Sequence, residues 1–112
     1  MVTVPGTAIT SPNYPNNYDN SKDCLVYVRF AADQKVLLTV EAFDVEYQST
    51  CSYDYLSVHD GFGYNQPLIG SKLCGTITEL SLESTGNEMT LYFRSDNIET
   101  KTGFKVRVTA GI

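Results

Sequence analysis

Apolar residues in this chain fall in short runs. Several of the runs alternate strictly with polar residues, and clusters of Gly, Pro, Asn and Asp separate them. A period of two sends successive side chains to opposite faces of an extended strand, so the pattern predicts β-structure. The predicted strands are Gly6–Ser11, Leu25–Phe30, Lys35–Phe43, Tyr55–His59, Glu79–Ser84, Met89–Phe93 and Gly103–Val108. In the last of these, Phe104, Val106 and Val108 share one face, and Lys105 and Arg107 point the other way. Turn residues bound the runs: Pro12–Tyr18 after the first, Asp60-Gly61 after the fourth and Gly86-Asn87 after the fifth. Gly61–Pro67 reads as a long loop, and no segment has a convincing helical period. Short strands at close spacing, without helical crossovers, predict an antiparallel β-sandwich of two sheets. The length predicts one domain over residues 1–112.

Composition narrows the function classes. Hydrophobic residues make up 42% of the chain and charged residues 19%, which is a globular balance. A net charge of −5 argues against nucleic acid, whose partners present basic faces. No stretch approaches the roughly 18 apolar residues of a membrane span, so membrane insertion is not expected. Residues 1–6 have neither the basic region nor the apolar run of a signal peptide, so a secreted form would already have lost its signal. Eight tyrosines and no tryptophan suit half-buried packing in sheets. Three cysteines, Cys24, Cys51 and Cys74, allow one disulfide and one remaining thiol. Their spacing fits neither a redox pair nor a zinc knuckle, and one histidine is too few for an ordinary structural zinc site. Composition alone leaves open whether the cysteines are bridged.

Six motifs in order are more specific. They are Gly6-x-x-Ile9-x-Ser11-Pro12-Asn13-Tyr14-Pro15-x-x-Tyr18 followed by Cys24; Phe43-x-x-Glu46 before Cys51; and Tyr53-Asp54-x-Leu56-x-Val58-x-Asp60-Gly61. Then come Gly70-x-x-x-Cys74-Gly75, Phe93-x-Ser95-Asp96 and Gly103-Phe104. Along nearly its whole length the chain thus resembles the CUB domain family, in the calcium-binding subtype found in complement proteases, tolloid-like metalloproteases and endocytic receptors. The resemblance implies an extracellular, jelly-roll-like antiparallel β-sandwich of two sheets that recognises other molecules and is not an enzyme. It also implies a Cys51–Cys74 disulfide. Typical members carry an earlier cysteine that bridges to the position of Cys24. Either that partner lies upstream of these residues, which we favour, or Cys24 is a natural orphan. Cys24 is not read as a nucleophile, because no orienting group accompanies the single histidine.

By the same resemblance, Glu46, Asp54 and Asp96 match the acidic positions of calcium-binding members. Three carboxylates packed together repel one another, so without a cation at least one pKa should rise. Ca2+ accepts several oxygens in irregular loop geometry, whereas Mg2+ demands a tighter octahedron. The resemblance adds the carbonyl of Ile98 and the side chain of Glu99 as further metal-ligand candidates, and Tyr18 as the residue whose hydroxyl holds the Glu46 carboxylate. Each acid alone has a plainer reading: Asp54 as a partner of loop backbone and Asp96 as a turn starter. Glu41 and Asp44 read as solvated acids, and His59 as a solvated residue at a strand end.

The expected function is a calcium-dependent protein-binding module that engages a Lys or Arg of an extracellular partner at this loop end. The alternative is a glycan-binding module, with Tyr14, Tyr18, Tyr47, Tyr53, Tyr55, Tyr64 and Tyr92 as stacking faces. A glycosidase pair is disfavoured, since acids grouped by a calcium motif need no catalytic reading.

Overall fold

The computed structural model describes residues 1–18, 21–96 and 100–111. They form eight strands and no helix: β1 (Thr7–Thr10), β2 (Asp23–Arg29), β3 (Lys35–Val45), β4 (Tyr55–Asp60), β5 (Gly75–Thr76), β6 (Ser81–Glu83), β7 (Glu88–Arg94) and β8 (Gly103–Gly111). One sheet runs β1-β8-β3-β5, with β6 also on β3, and the other runs β2-β7-β4. Every strand pair is antiparallel, as predicted.

Alternation fills the space between the sheets. Val28, Leu56, Val58, Met89, Val106 and Val108 are fully buried there. β3 reads as a less regular run because its period breaks once. Val36, Leu38 and Val40 are buried, then the register with β8 shifts between Val40 and Ala42, and Phe43 and Val45 take over the inward positions. This bulge at Glu41 lets one long strand keep its apolar side inward across a change of parity. Glu41 itself faces out and is paired with Arg107 at 2.7 Å and Lys105 at 3.7 Å, rather than being simply solvated. Those cations hold its carboxyl below the usual glutamate range, with the Arg107 hydrogen bond the largest cause.

Two further local predictions are corrected. The predicted strand Glu79–Ser84 contracts to Ser81–Glu83, and two-residue β5 has no alternation from which to be recognised. His59 is buried, not solvated. Its Nε2 lies 2.9 Å from the Ser57 hydroxyl and its Nδ1 lies 2.9 Å from the Gln66 carbonyl. The Gly61–Pro67 loop is therefore folded back on the outer face of the β2-β7-β4 sheet. Phe62 stacks on Tyr27, and Thr90 Oγ1 both accepts from the Gly63 N–H and donates to the Gly61 carbonyl.

Both edges of that sheet are covered along part of their length. Beside β2, the Val2 N–H donates to the Tyr27 carbonyl and the Arg29 N–H donates to the Val2 carbonyl. Beside β4, Leu56 exchanges two hydrogen bonds with Leu73, and the Ile69 N–H donates to the Val58 carbonyl.

Gly103 opens β8 at φ 90°, and a Cβ there would lie 1.8 Å from Ser11 Oγ, the atom that accepts the Phe104 N–H. Gly103→Ala combines a strained backbone with a clash against a buried hydrogen bond. Its expected cost is roughly 2–4 kcal/mol, measured by urea unfolding.

Candidate metal centre

The antiparallel pairing of β4 with β7 brings the start of one strand to the end of the other, with Tyr55 opposite Arg94. Asp54 and Asp96, just beyond those residues, consequently lie together. Glu46 follows the last residue of β3 in the facing sheet, at the same end of the sandwich. Each of the three offers a carboxylate oxygen, and these oxygens all lie within 4.8 Å of one another. Oxygens on a Ca2+ shell of about 2.4 Å radius are at most about 4.8 Å apart, and the three carboxylates meet that limit. Hard, anionic oxygen donors also suit that ion. Ile98 and Glu99 lie outside the described residues.

Asp54 is the fixed point of the group. It is fully buried, Oδ1 accepts the Asp96 N–H at 2.7 Å, and Oδ2 accepts the Tyr18 hydroxyl. The plain reading of Asp54 as a partner of loop backbone and its place in the acidic cluster are thus both realised. Burial pushes its carboxyl above the ordinary aspartate value; the hydrogen bonds from Tyr18 and the Asp96 N–H oppose this, and the Asp96 charge adds to it. A raised carboxyl was expected from mutual repulsion, but loss of solvent is the larger cause.

Tyr18 requires a correction. Its hydroxyl donates to the Asp54 carboxylate and accepts the Glu46 backbone N–H at 3.3 Å, so it does not hold the Glu46 carboxylate as its role was read. Burial, then the bond to Asp54, raises its phenol pKa, keeping it a donor. The ring is buried against Phe93, with centroids 5.0 Å apart. Tyr18 and Tyr55 are both buried and offer no stacking face to a sugar, whereas Tyr47, Tyr53 and Tyr64 are exposed.

The connection from Glu46 to Asp54 is tied by a residue that the motifs do not mark. Gln48 Oε1 accepts from the Thr50 N–H, the Thr50 hydroxyl and the Ser52 N–H. A glutamine in a polar loop gives no sequence sign of this. Cys51 is bonded to Cys74, which ties the same loop to β5 beside the end of β3. Cys24 is the free cysteine, and burial raises its thiol pKa. On the far strand, Ser95 exchanges hydrogen bonds with the backbone of Lys22, and the Ser21 N–H donates to the Asp96 carbonyl. An open cleft of about 360 Å³ borders Glu46, lined also by Asp44, Val45, Tyr47, Gly75, Thr76 and Lys101.

A family model for the CUB domain matches residues 2–108. Cubilin of Rattus norvegicus is 38% identical over 104 residues, which are 88% of this chain and 3% of that protein. The chain spans 3–15% of the length of curated relatives it matches. Among solved structures, the MASP-1 CUB2 domain bound to Ca2+ is 28% identical at a TM-score of 0.85, covering 97% of this chain and 96% of that one. The full extracellular region of zebrafish Gpr126/Adgrg6 is 32% identical at a TM-score of 0.85, covering 97% of this chain and 14% of that one.

Tyr18→Phe keeps the buried ring and removes the hydroxyl, leaving one oxygen of a buried carboxylate without its donor. The expected loss is about 1–3 kcal/mol, read from urea unfolding in chelator. An unchanged midpoint would show that the hydroxyl does not support Asp54.

Proposed function

The chain belongs to the CUB domain family, and on that premise we propose that it is an extracellular protein-binding module whose working end is built on calcium held by Glu46, Asp54 and Asp96. The observation that carries this reading is the convergence of the three carboxylates from three separate segments, within reach of one coordination shell. Support also comes from the MASP-1 CUB2 domain, which is bound to Ca2+ and superimposes over nearly the whole chain. The extracellular setting agrees with the disulfide and with the extracellular region of Gpr126/Adgrg6 as a structural neighbour. The Ile98 carbonyl and Glu99 complete the proposed ligand set. No catalytic step is assigned to the domain.

Calcium, when bound, supplies the positive charge that lets the three carboxylates stay ionised side by side. Asp54 is oriented by Tyr18 and by the Asp96 N–H, so its part of the site is held before any ion arrives. Three carboxylates with one divalent cation leave about one net negative charge, and the outer oxygens can receive a Lys or Arg of the partner.

Calcium is expected to raise the melting temperature. For a dissociation constant of about 10 µM, 1 mM calcium adds roughly 2.7 kcal/mol, on the order of 10 °C for a domain this small. Asp54→Ala should remove most of that shift. Equal melting temperatures in calcium and in chelator would defeat the metal assignment.

Partner binding should be lost in chelator and should weaken with rising salt while calcium stays saturating. Truncating the partner's basic residue should cost about 2–5 kcal/mol. A partner held equally well in chelator and in high salt would place the contact on another surface.

A further inference from the structure

Calcium and its three carboxylates leave open which basic residue a partner brings, and the cleft beside Glu46 bears on that choice. Antiparallel pairing of β5 with the end of β3 sets Asp44 opposite Thr76 and Val45 opposite Gly75. Tyr47, just past the end of β3, is 73% exposed, yet its ring is not loosely placed. Gly75 stands at φ 77°, and a Cβ there would lie 3.1 Å from Tyr47 Cδ1, so the ring rests against bare main chain. That glycine follows Cys74, whose bond to Cys51 ties β5 to the loop that Tyr47 opens. The backbone on either side of the ring is also engaged: the Glu46 N–H donates to the Tyr18 hydroxyl, and the Gln48 side chain closes the loop through Thr50 and Ser52. Among the described residues, the one hydrogen bond of the Asp44 carboxylate is long, 3.5 Å from the Thr76 hydroxyl. An aromatic ring, two acids and one lysine, Lys101, therefore border the same open cleft of about 360 Å³.

We propose that this cleft makes arginine, rather than lysine, the basic residue that the domain takes from its partner. The guanidinium lies against the Tyr47 ring and pairs with Asp44, beside the outer oxygens of Glu46. This preference rests on the metal-site reading, in which calcium holds Glu46 ionised at the border of the cleft. A guanidinium is planar and weakly hydrated, stacks on aromatic faces and presents a fork of N–H donors that matches a carboxylate. An ammonium is a compact, strongly hydrated point charge and gains less from a ring that it must shed water to reach. Lys101 repels either cation, so it lowers affinity without favouring one of them. The ring and the Asp44 carboxylate decide between the two. The acids repel an acidic side chain, which leaves a cation as the occupant that the cleft's charge fits.

The test is an NMR titration of the domain in saturating calcium with two capped peptides, Gly-Gly-Arg-Gly-Gly and Gly-Gly-Lys-Gly-Gly, followed through the amide signals of Asp44 and Thr76. The arginine peptide should bind about tenfold more tightly than the lysine peptide. Tyr47→Ala should bring the arginine peptide down to the lysine level, whereas Tyr47→Phe should keep the preference. Both variants should retain the rise in melting temperature that calcium gives the wild type. Equal affinity for the two peptides, a preference that survives Tyr47→Ala, or no binding of either peptide overturns the proposal. If the calcium-induced melting shift is present in that case, the metal site itself still stands. A domain whose melting temperature ignores calcium defeats the metal-site reading and the arginine preference with it.

Discussion

Asp54 carries its carboxylate where solvent does not reach, and a charge so placed is costly unless polar groups surround it. Two donors do so, and both come from distant parts of the chain: Tyr18, 36 residues upstream, and the Asp96 N–H, 42 residues downstream. Satisfying one buried group therefore gathers three segments at one end of the sandwich. Tyr18 also packs edge-on against Phe93, so the side chain that satisfies the carboxylate is itself part of the hydrophobic core. Neither the acid end nor the core beneath it can rearrange without disturbing the other. A site coupled to its scaffold in this way needs little reorganisation when a ligand arrives.

Much of this was legible in the sequence, for identifiable reasons. β7 and β8 were readable because their pattern reflects burial alone: Met89, Leu91 and Phe93, like Phe104, Val106 and Val108, alternate without interruption. The acidic trio was legible through motif spacing, although nothing in a linear pattern says that Glu46, Asp54 and Asp96 meet; strand pairing does that. What stayed hidden depends on hydrogen bonds with no periodic trace. Gln48 organises its loop through one side-chain oxygen, and the Tyr18 hydroxyl bonds the Asp54 carboxylate and the Glu46 backbone N–H. His59 looked like a solvated residue because it stands at a strand end, just before the Asp60-Gly61 turn signal. It is buried because the Gly61–Pro67 loop closes over it, and loop closure is a tertiary event.

The small sheet thus serves two sides of the molecule. Its inner face supplies Leu56, Val58, Met89, Leu91 and Phe93 to the core, and its outer face supports the aromatic surface around Tyr64. Asp54 and Asp96 emerge where its strands end, beside both. Strand alternation separates the two faces of this three-stranded sheet, and its strands end at Tyr55 and Arg94, next to Asp54 and Asp96.

The covered edges of that sheet carry a consequence for how the domain can be approached. Val2 occupies hydrogen-bonding groups beside β2, and the segment around Leu68–Leu73 occupies those beside β4. An extended peptide arriving at Tyr27–Arg29 of β2 or at Leu56–Asp60 of β4 finds backbone groups already engaged, so β-augmentation is closed to it at those positions. Recognition at those positions must then be written in side chains and ions, not in main-chain pairing. Copies of the domain that meet there find no free backbone to pair with.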